Sequence, residues 1–172
     1  MSVPSITETR QYLTFHLGGE MFGMDVCHIR EILEFTSVAR VPGTPDFMKG
    51  VINLRGSVVP VLDMRLKFGL EETDKTVDTC IIVVEVSFEE EKTIIGALVD
   101  SVEEVFELEP DLIDPAPRVG SHLKTEFIKG MGKREDSFII ILDAEKMLSS
   151  EELSVVTVSK PEISSEARAV NE

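Results

Sequence analysis

Apolar and polar residues alternate through the first patterned stretch of the chain. Leu13, Phe15 and Leu17 fall on one face and Tyr12, Thr14 and His16 on the other, which is the period of a half-buried strand over residues 11–17. Gly18-Gly19 turns the chain, and residues 20–24 return as a second strand. Asp25 can cap a brief helical turn carrying Val26 and Ile29 three residues apart. Residues 31–35 then read as strand, with one helix through 26–35 as the competing reading. Val41-Pro42-Gly43 is loop, and Thr44 with Pro45 at the first helical position opens a short helix.

The next stretch occurs twice. Residues 45–68 align without a gap on 125–148: Phe47 falls on Phe127, 80 residues on, Lys49-Gly50 on Lys129-Gly130, Ser57 on Ser137 and Leu62-Asp63 on Leu142-Asp143. Most mismatches exchange one apolar residue for another, as Val58 for Phe138. Each copy predicts a helical turn stopped by glycine, a strand, a tight turn, a strongly apolar strand, and an aspartate capping a short helix. The repeat extends upstream, where 22–32 aligns on 95–105 at a spacing of 73, so the second half holds a seven-residue insertion. Residues 79–87 form a long apolar strand whose hairpin turn carries Glu89-Glu90-Glu91. Residues 71–78 join the halves, and 110–121, with Pro115 and Pro117, is extended loop. A short helix or strand reaches 158, and 160–172 reads as disordered. Short strands, frequent turns and a duplicated unit predict a mainly β protein built as two small barrels or sandwiches.

The copies differ at the hairpin tip. Asn53-Leu54-Arg55-Gly56 stands where the second copy has Lys133-Arg134-Glu135-Asp136. Gly56 and Asp136 suit a positive-φ turn position. Arg55 and Glu135 are opposite charges at equivalent sites, so the backbone does not dictate them. Either the first hairpin carries something the second lacks, or an exposed turn has drifted.

Composition narrows the function. A net charge of −15 over 172 residues argues against nucleic acid and anionic membrane surfaces and suits a partner with basic patches. No apolar run is long enough to cross a bilayer and none near the N-terminus resembles a signal peptide, which points to the cytoplasm. Cys27 and Cys80 lie in apolar surroundings and read as buried free thiols. His16, His28 and His122 are scattered, and no nucleophile elbow, phosphate loop or metal-ligand spacing occurs. Asp63 and Asp143, symmetric at strand ends, read as caps rather than a catalytic pair. The expectation is a binding protein without enzymatic activity or cofactor. Val26, Ile29 and Ile32 in one half and Val99, Val102 and Val105 in the other occupy equivalent positions. Core packing claims at least half of them; the remainder can line a junction where a partner helix lays its apolar stripe.

The run PDFMKGVINLRGSVVPVLDMRLKFG resembles the signature of the CheW family, the coupling proteins of bacterial and archaeal chemotaxis. The likeness continues through MFGMDVCHIREILEF, IIGALVDSVEEV and ILDAEKML, and covers residues 11–152. It implies two homologous five-stranded SH3-like β-barrels with short helices, the first over about 11–72 and the second over about 76–152, with elements open to exchange between them. Residues 1–10 would be a flexible tail and 153–172 a C-terminal segment with a disordered end. The family role is a non-enzymatic cytoplasmic adaptor joining chemoreceptor cytoplasmic hairpins to the regulatory domain of the histidine kinase CheA, with ring assemblies that include further copies of the adaptor. Leu13, Val26, Ile29, Ile32 and Val99 match the receptor-facing groove. Arg55, Glu31 and Gly50 match signalling positions, and Val58 a position near the kinase-facing side. The resemblance leaves open whether Arg55 shapes the surface through Glu31 or meets a partner directly.

Overall fold

The computed structural model describes residues 8–72, 74–115, 127–148 and 152–153. The expected tail through residue 7, loop residues 116–126 with Pro117 and His122, and the segment from 154 onward lie outside the described residues. The elements are β1 Arg10–Leu17, β2 Glu20–Asp25, β3 Ile29–Glu34, β4 Met48–Leu54, β5 Ser57–Asp63, α1 Met64–Lys67, β6 Cys80–Phe88, β7 Glu91–Val99, β8 Ser101–Leu108, β9 Ile113–Asp114, β10 Ile128–Arg134 and β11 Ser137–Leu142. Single 3₁₀ turns occupy Val26–His28, Pro110–Leu112 and Ala144–Lys146. Asp25, Asp63 and Asp143 each accept backbone N–H groups at the start of the turn that follows, which satisfies donors the short helices leave open. The stretch 26–35 is therefore a capped turn followed by strand, not one helix.

The fold is mainly β, in two sheets. One runs β8-β1-β2-β11-β10-β9 and the other β3-β6-β7-β5-β4. Elements are exchanged between the segments 11–72 and 76–152. The five-stranded sheet is one continuous segment, β3 to β7, while the six-stranded sheet joins β1 and β2 to β8 through β11. In terms of the repeat, each half gives its first hairpin to the other half's sheet. The pseudo-symmetry survives in the register. Parallel pairing of Val61 with Gly96 has its counterpart in Ile141 with Gly23, and the bridge of Ala39 to Val51 in Asp114 with Met131.

Three apolar clusters follow from this arrangement. Ile52, Val59, Val61, Ile81, Val83 and Leu98 fill the five-stranded sheet, joined by Leu33 and Leu54 from its two opposite edge strands, so the sheet curls onto itself. Tyr12, Leu108, Ile139 and Ile141, with Phe106 and Ile113, do the same in the six-stranded sheet. The largest cluster lies between the sheets and includes Leu13, Phe15, Leu17, Phe22, Leu62, Ile82, Val84 and Val99. Strand β6 is apolar on both faces for this reason: Ile81 and Val83 point into their own sheet, Ile82 and Val84 into the shared core. Phe68, just after α1, stacks between Phe22 of the six-stranded sheet and Phe127, just before β10, at centroid distances of 5.7 and 4.7 Å.

The helical turn expected at Phe47-Met48 and Phe127-Ile128 does not form. Met48 and Ile128 begin strands, and Gly50 and Gly130 sit at register shifts inside them rather than at a helix end. The glycines admit a neighbouring backbone. A Cβ at Gly50 would fall onto the Ala39 carbonyl, and one at Gly130 would lie 2.9 Å from the Asp114 carbonyl oxygen. Sequence pattern alone reads such a glycine as a helix stop because both uses follow two apolar residues. The cysteines also differ from expectation: both are free, but Cys27 is exposed and Cys80 half-buried.

Candidate docking surfaces

The hairpin between β4 and β5 turns on Arg55 and Gly56, both at positive φ (51° and 90°), with Asn53 Oδ1 accepting the Gly56 N–H at 2.8 Å. From this tip the Arg55 guanidinium forks onto the Glu31 carboxylate of β3. β3 and β4 are the two edges of the five-stranded sheet, so the pair clasps the curled sheet across its opening. The pairing with Glu31 is the internal contact of the two left open for Arg55. The Arg55 side chain remains 71% exposed and Glu31 27%.

The second hairpin has the same clasp. Glu104 on β8 is the repeat counterpart of Glu31, and Arg134 at the end of β10 reaches it at 3.2 Å. Arg134 also stacks on Phe106, its guanidinium carbon 3.8 Å from the ring centroid, and donates toward Met21 Sδ at 3.6 Å. The contrast between Arg55 and Glu135 therefore misled: the arginine has moved one residue toward the N-terminus and kept its partner. In this turn Glu135, not Asp136, takes positive φ (52°).

Exposed apolar residues recur in pairs. Ile32 (43% exposed) on β3 matches Val105 (50%) on β8, and Val58 (44%) on β5 matches Phe138 (53%) on β11. Each curled sheet thus offers one apolar residue beside its clasp glutamate and one just past its hairpin tip. The remaining residues of the expected groove lie deeper. Val26 and Ile29 are half-buried against the core between the sheets, while Leu13 and Val99 are inside it. Leu13 and Val99 can shape a docking surface from below but cannot touch a partner. Gly50 is buried at its bulge.

A cavity of about 20 Å³ lies beside Arg65 and Asp100, lined also by Lys49, Asp63, Lys75 and Thr79. It is far below the few hundred Å³ of an ordinary small-molecule site. Among the described residues no three His, Cys, Asp or Glu side chains gather as a metal site, and no described helix is long and apolar enough to cross a membrane. The described histidines face single carboxylates, His16 with Glu103 at 3.1 Å and His28 with Glu145 at 3.8 Å.

Sequence reasoning missed Arg134 and Glu104, although the spacing of 73 already set Glu104 on Glu31. It also missed Arg65 and Asp100. Arg65 Nε and Nη2 hold the Asp100 carboxylate at 2.9 and 3.0 Å, and the same carboxylate accepts the Gly18 N–H at 2.9 Å. Burial works to raise the Asp100 carboxyl, but the Arg65 guanidinium and the Gly18 amide outweigh it and hold the group below the ordinary aspartate value.

Comparison with known proteins places this geometry. A family model described as a CheW-like domain matches residues 11–152. The chain is 38% identical over 150 residues to the chemotaxis protein CheW of Klebsiella aerogenes, spanning 87% of this chain and 88% of that protein. It is 33% identical over 144 residues to the chemotaxis protein CheW of Helicobacter pylori, spanning 84% of each. The crystal structure of the scaffolding protein TtCheW from Thermoanaerobacter tengcongensis is similar with a TM-score of 0.73 and 33% identity, covering 83% of this chain and 96% of that one.

Proposed function

The chain belongs to the CheW-like family, and from that premise we propose that it joins methyl-accepting chemoreceptor cytoplasmic hairpins to the regulatory domain of a CheA-type histidine kinase. It is a non-enzymatic adaptor of chemotaxis signalling. The kinase-facing side is the clasped hairpin with Arg55, Glu31 and Val58. The receptor-facing side is the surface over the junction of the sheets, where Ile32, Ile29 and Val26 offer graded apolar exposure and Leu13 and Val99 support it from within. The observation that carries this reading is the recurrence of exposed apolar residues at equivalent places, Ile32 with Val105 and Val58 with Phe138. An apolar side chain kept at the surface in both copies is better explained by docking than by folding. Two like faces on one chain also suit ring assembly, in which kinase domains and further copies of the adaptor alternate. The net charge of −15 fits protein partners in the cytoplasm and opposes nucleic acid and anionic lipid.

Calorimetry on the purified chain tests the proposal. A receptor hairpin fragment and a kinase regulatory domain should each bind, and all three should elute together in gel filtration. A folded chain that binds neither overturns it.

A further inference from the structure

Among the described residues the chain passes between the sheets at two places: from β2 to β3 through the 3₁₀ turn Val26–His28, and from β7 to β8 at Asp100. Val26, Ile29 and Val99 sit on or beside these crossings. The crossings therefore decide where the junction surface lies. Apolar packing between the sheets is strong but non-directional, so a bidentate or multi-centre polar contact is what fixes a short segment in one place.

Each crossing is held from the same position of the repeat. Arg65 stands two residues beyond the capping Asp63, and Glu145 two residues beyond the capping Asp143, 80 residues on. Arg65 forks onto Asp100 at the second crossing and donates through Nη1 to the Glu71 carbonyl at 2.9 Å. The Asp100 carboxylate in turn accepts from Gly18, and its backbone N–H donates to the His16 carbonyl at 3.1 Å, so β1, the β1–β2 turn, the crossing and α1 meet at one residue. Glu145 reaches the first crossing from the equivalent place. Its Oε2 faces His28 Nδ1 at 3.8 Å and its Oε1 accepts the Ser87 N–H at 2.9 Å, tying the turn after β11 to Val26–His28 and to the end of β6. Position and reach are shared although a carboxylate stands at 145 where the first copy has a guanidinium at 65, which is what a retained mechanical role looks like after duplication.

We propose that Arg65 and Glu145 are positioning residues for the receptor-facing surface: each pins one of the two crossings and so sets where Val26, Ile29 and Val99 lie. This rests on the adaptor reading above. The effect of Arg65 runs through Asp100.

The test uses the full chain with a receptor hairpin fragment and, separately, a kinase regulatory domain. The unsubstituted chain must first bind the receptor fragment; if it does not, the adaptor reading fails before the clamps are tested. Given that binding, Arg65→Gln should weaken receptor affinity roughly tenfold and leave kinase-domain affinity within twofold. Asp100→Asn should do the same, and the double variant should lose no more than either single one, because both remove one contact. Glu145→Gln should weaken receptor binding selectively but less. Spin labels placed at Asn53 and Lys133, one on each hairpin, should show a broader distance distribution in Arg65→Gln than in the unsubstituted chain. Unchanged receptor binding, equal loss toward both partners, or an unchanged distance distribution in a folded variant overturns the proposal. If Arg65→Gln fails to fold, Asp100→Asn carries the same three readings.

Discussion

Arg134 on β10 holds Glu104 on β8 across the opening of the six-stranded sheet, as Arg55 holds Glu31 in the five-stranded one, but the two arginines are anchored differently. Arg134 adds the Phe106 ring and is 34% exposed; Arg55 has the carboxylate alone and is 71% exposed. A cation over an aromatic face contributes about 1 kcal/mol, and an exposed ion pair little. Arg134→Ala should therefore lower the urea midpoint measurably, by about 1 kcal/mol of stability. Arg55→Ala and Arg55→Glu should leave the midpoint within error. The functional effects should run the other way, with Arg55→Glu impairing kinase activation in a reconstituted receptor–kinase assay. An Arg55→Glu chain that unfolds would make this clasp structural.

Gly50 and Gly56 are six residues apart in sequence but differ in what surrounds them. Alanine at Gly56 meets nothing within 4 Å and suffers only the positive φ of 90°, so it should cost about 1 kcal/mol. Alanine at Gly50 drives its Cβ into the Ala39 carbonyl, which is backbone and cannot step aside. It should cost more than about 2 kcal/mol and break the paired Ala39 and Val51 hydrogen bonds of 2.9 and 2.8 Å. Amide exchange at Ala39 and Val51 reads this directly. Protection that survives Gly50→Ala would show that the bulge tolerates a side chain.

The expected groove residues divide by depth. Leu13 and Val99 are core residues, 4% and 1% exposed, whereas Ile32 is 43% exposed. Leu13→Ala should destabilise by about 2–4 kcal/mol through the cavity it leaves, and Ile32→Asp by well under about 1 kcal/mol. Receptor binding should respond to Ile32→Asp at unchanged stability. Parallel thermal melts and calorimetry separate the two, and a large loss of stability in Ile32→Asp would place that residue in the core.

Much of this fold could be read from the chain because a duplication checks itself. The spacings of 80 and 73 found the hairpins, and the aspartates at 25, 63 and 143 found the turns that they cap. What stayed hidden is what a linear repeat cannot carry. Which sheet receives β1 and β2 depends on pairing between residues such as Phe22 and Ile140, over a hundred positions apart. Arg134 was hidden by a shift of one residue, since an arginine side chain is long enough to reach the same carboxylate from a neighbouring turn position. Arg65 was hidden because its partner, Asp100, lies in the other half's crossing and has Cys27 as its repeat counterpart.

The Asp100 carboxylate also makes the crossing sensitive to acid. Its folded value lies below the ordinary aspartate value of 3.8. A group depressed in this way binds fewer protons folded than unfolded, so its contribution to stability is whole above that ordinary value and is lost as pH falls through the folded one. Asp100→Asn removes the contribution at every pH. The stability difference between the unsubstituted chain and Asp100→Asn should therefore be constant from pH 7 to about 5, then shrink as pH drops below about 4. The repulsion among the chain's many other carboxylates changes with pH as well, but it is common to both proteins and cancels in the difference. Urea midpoints for the pair at intervals down to the lowest pH at which both stay folded give the curve. A difference that does not narrow on acidification would mean that Arg65 and Gly18 do not hold the charged form of Asp100 in preference to the neutral one.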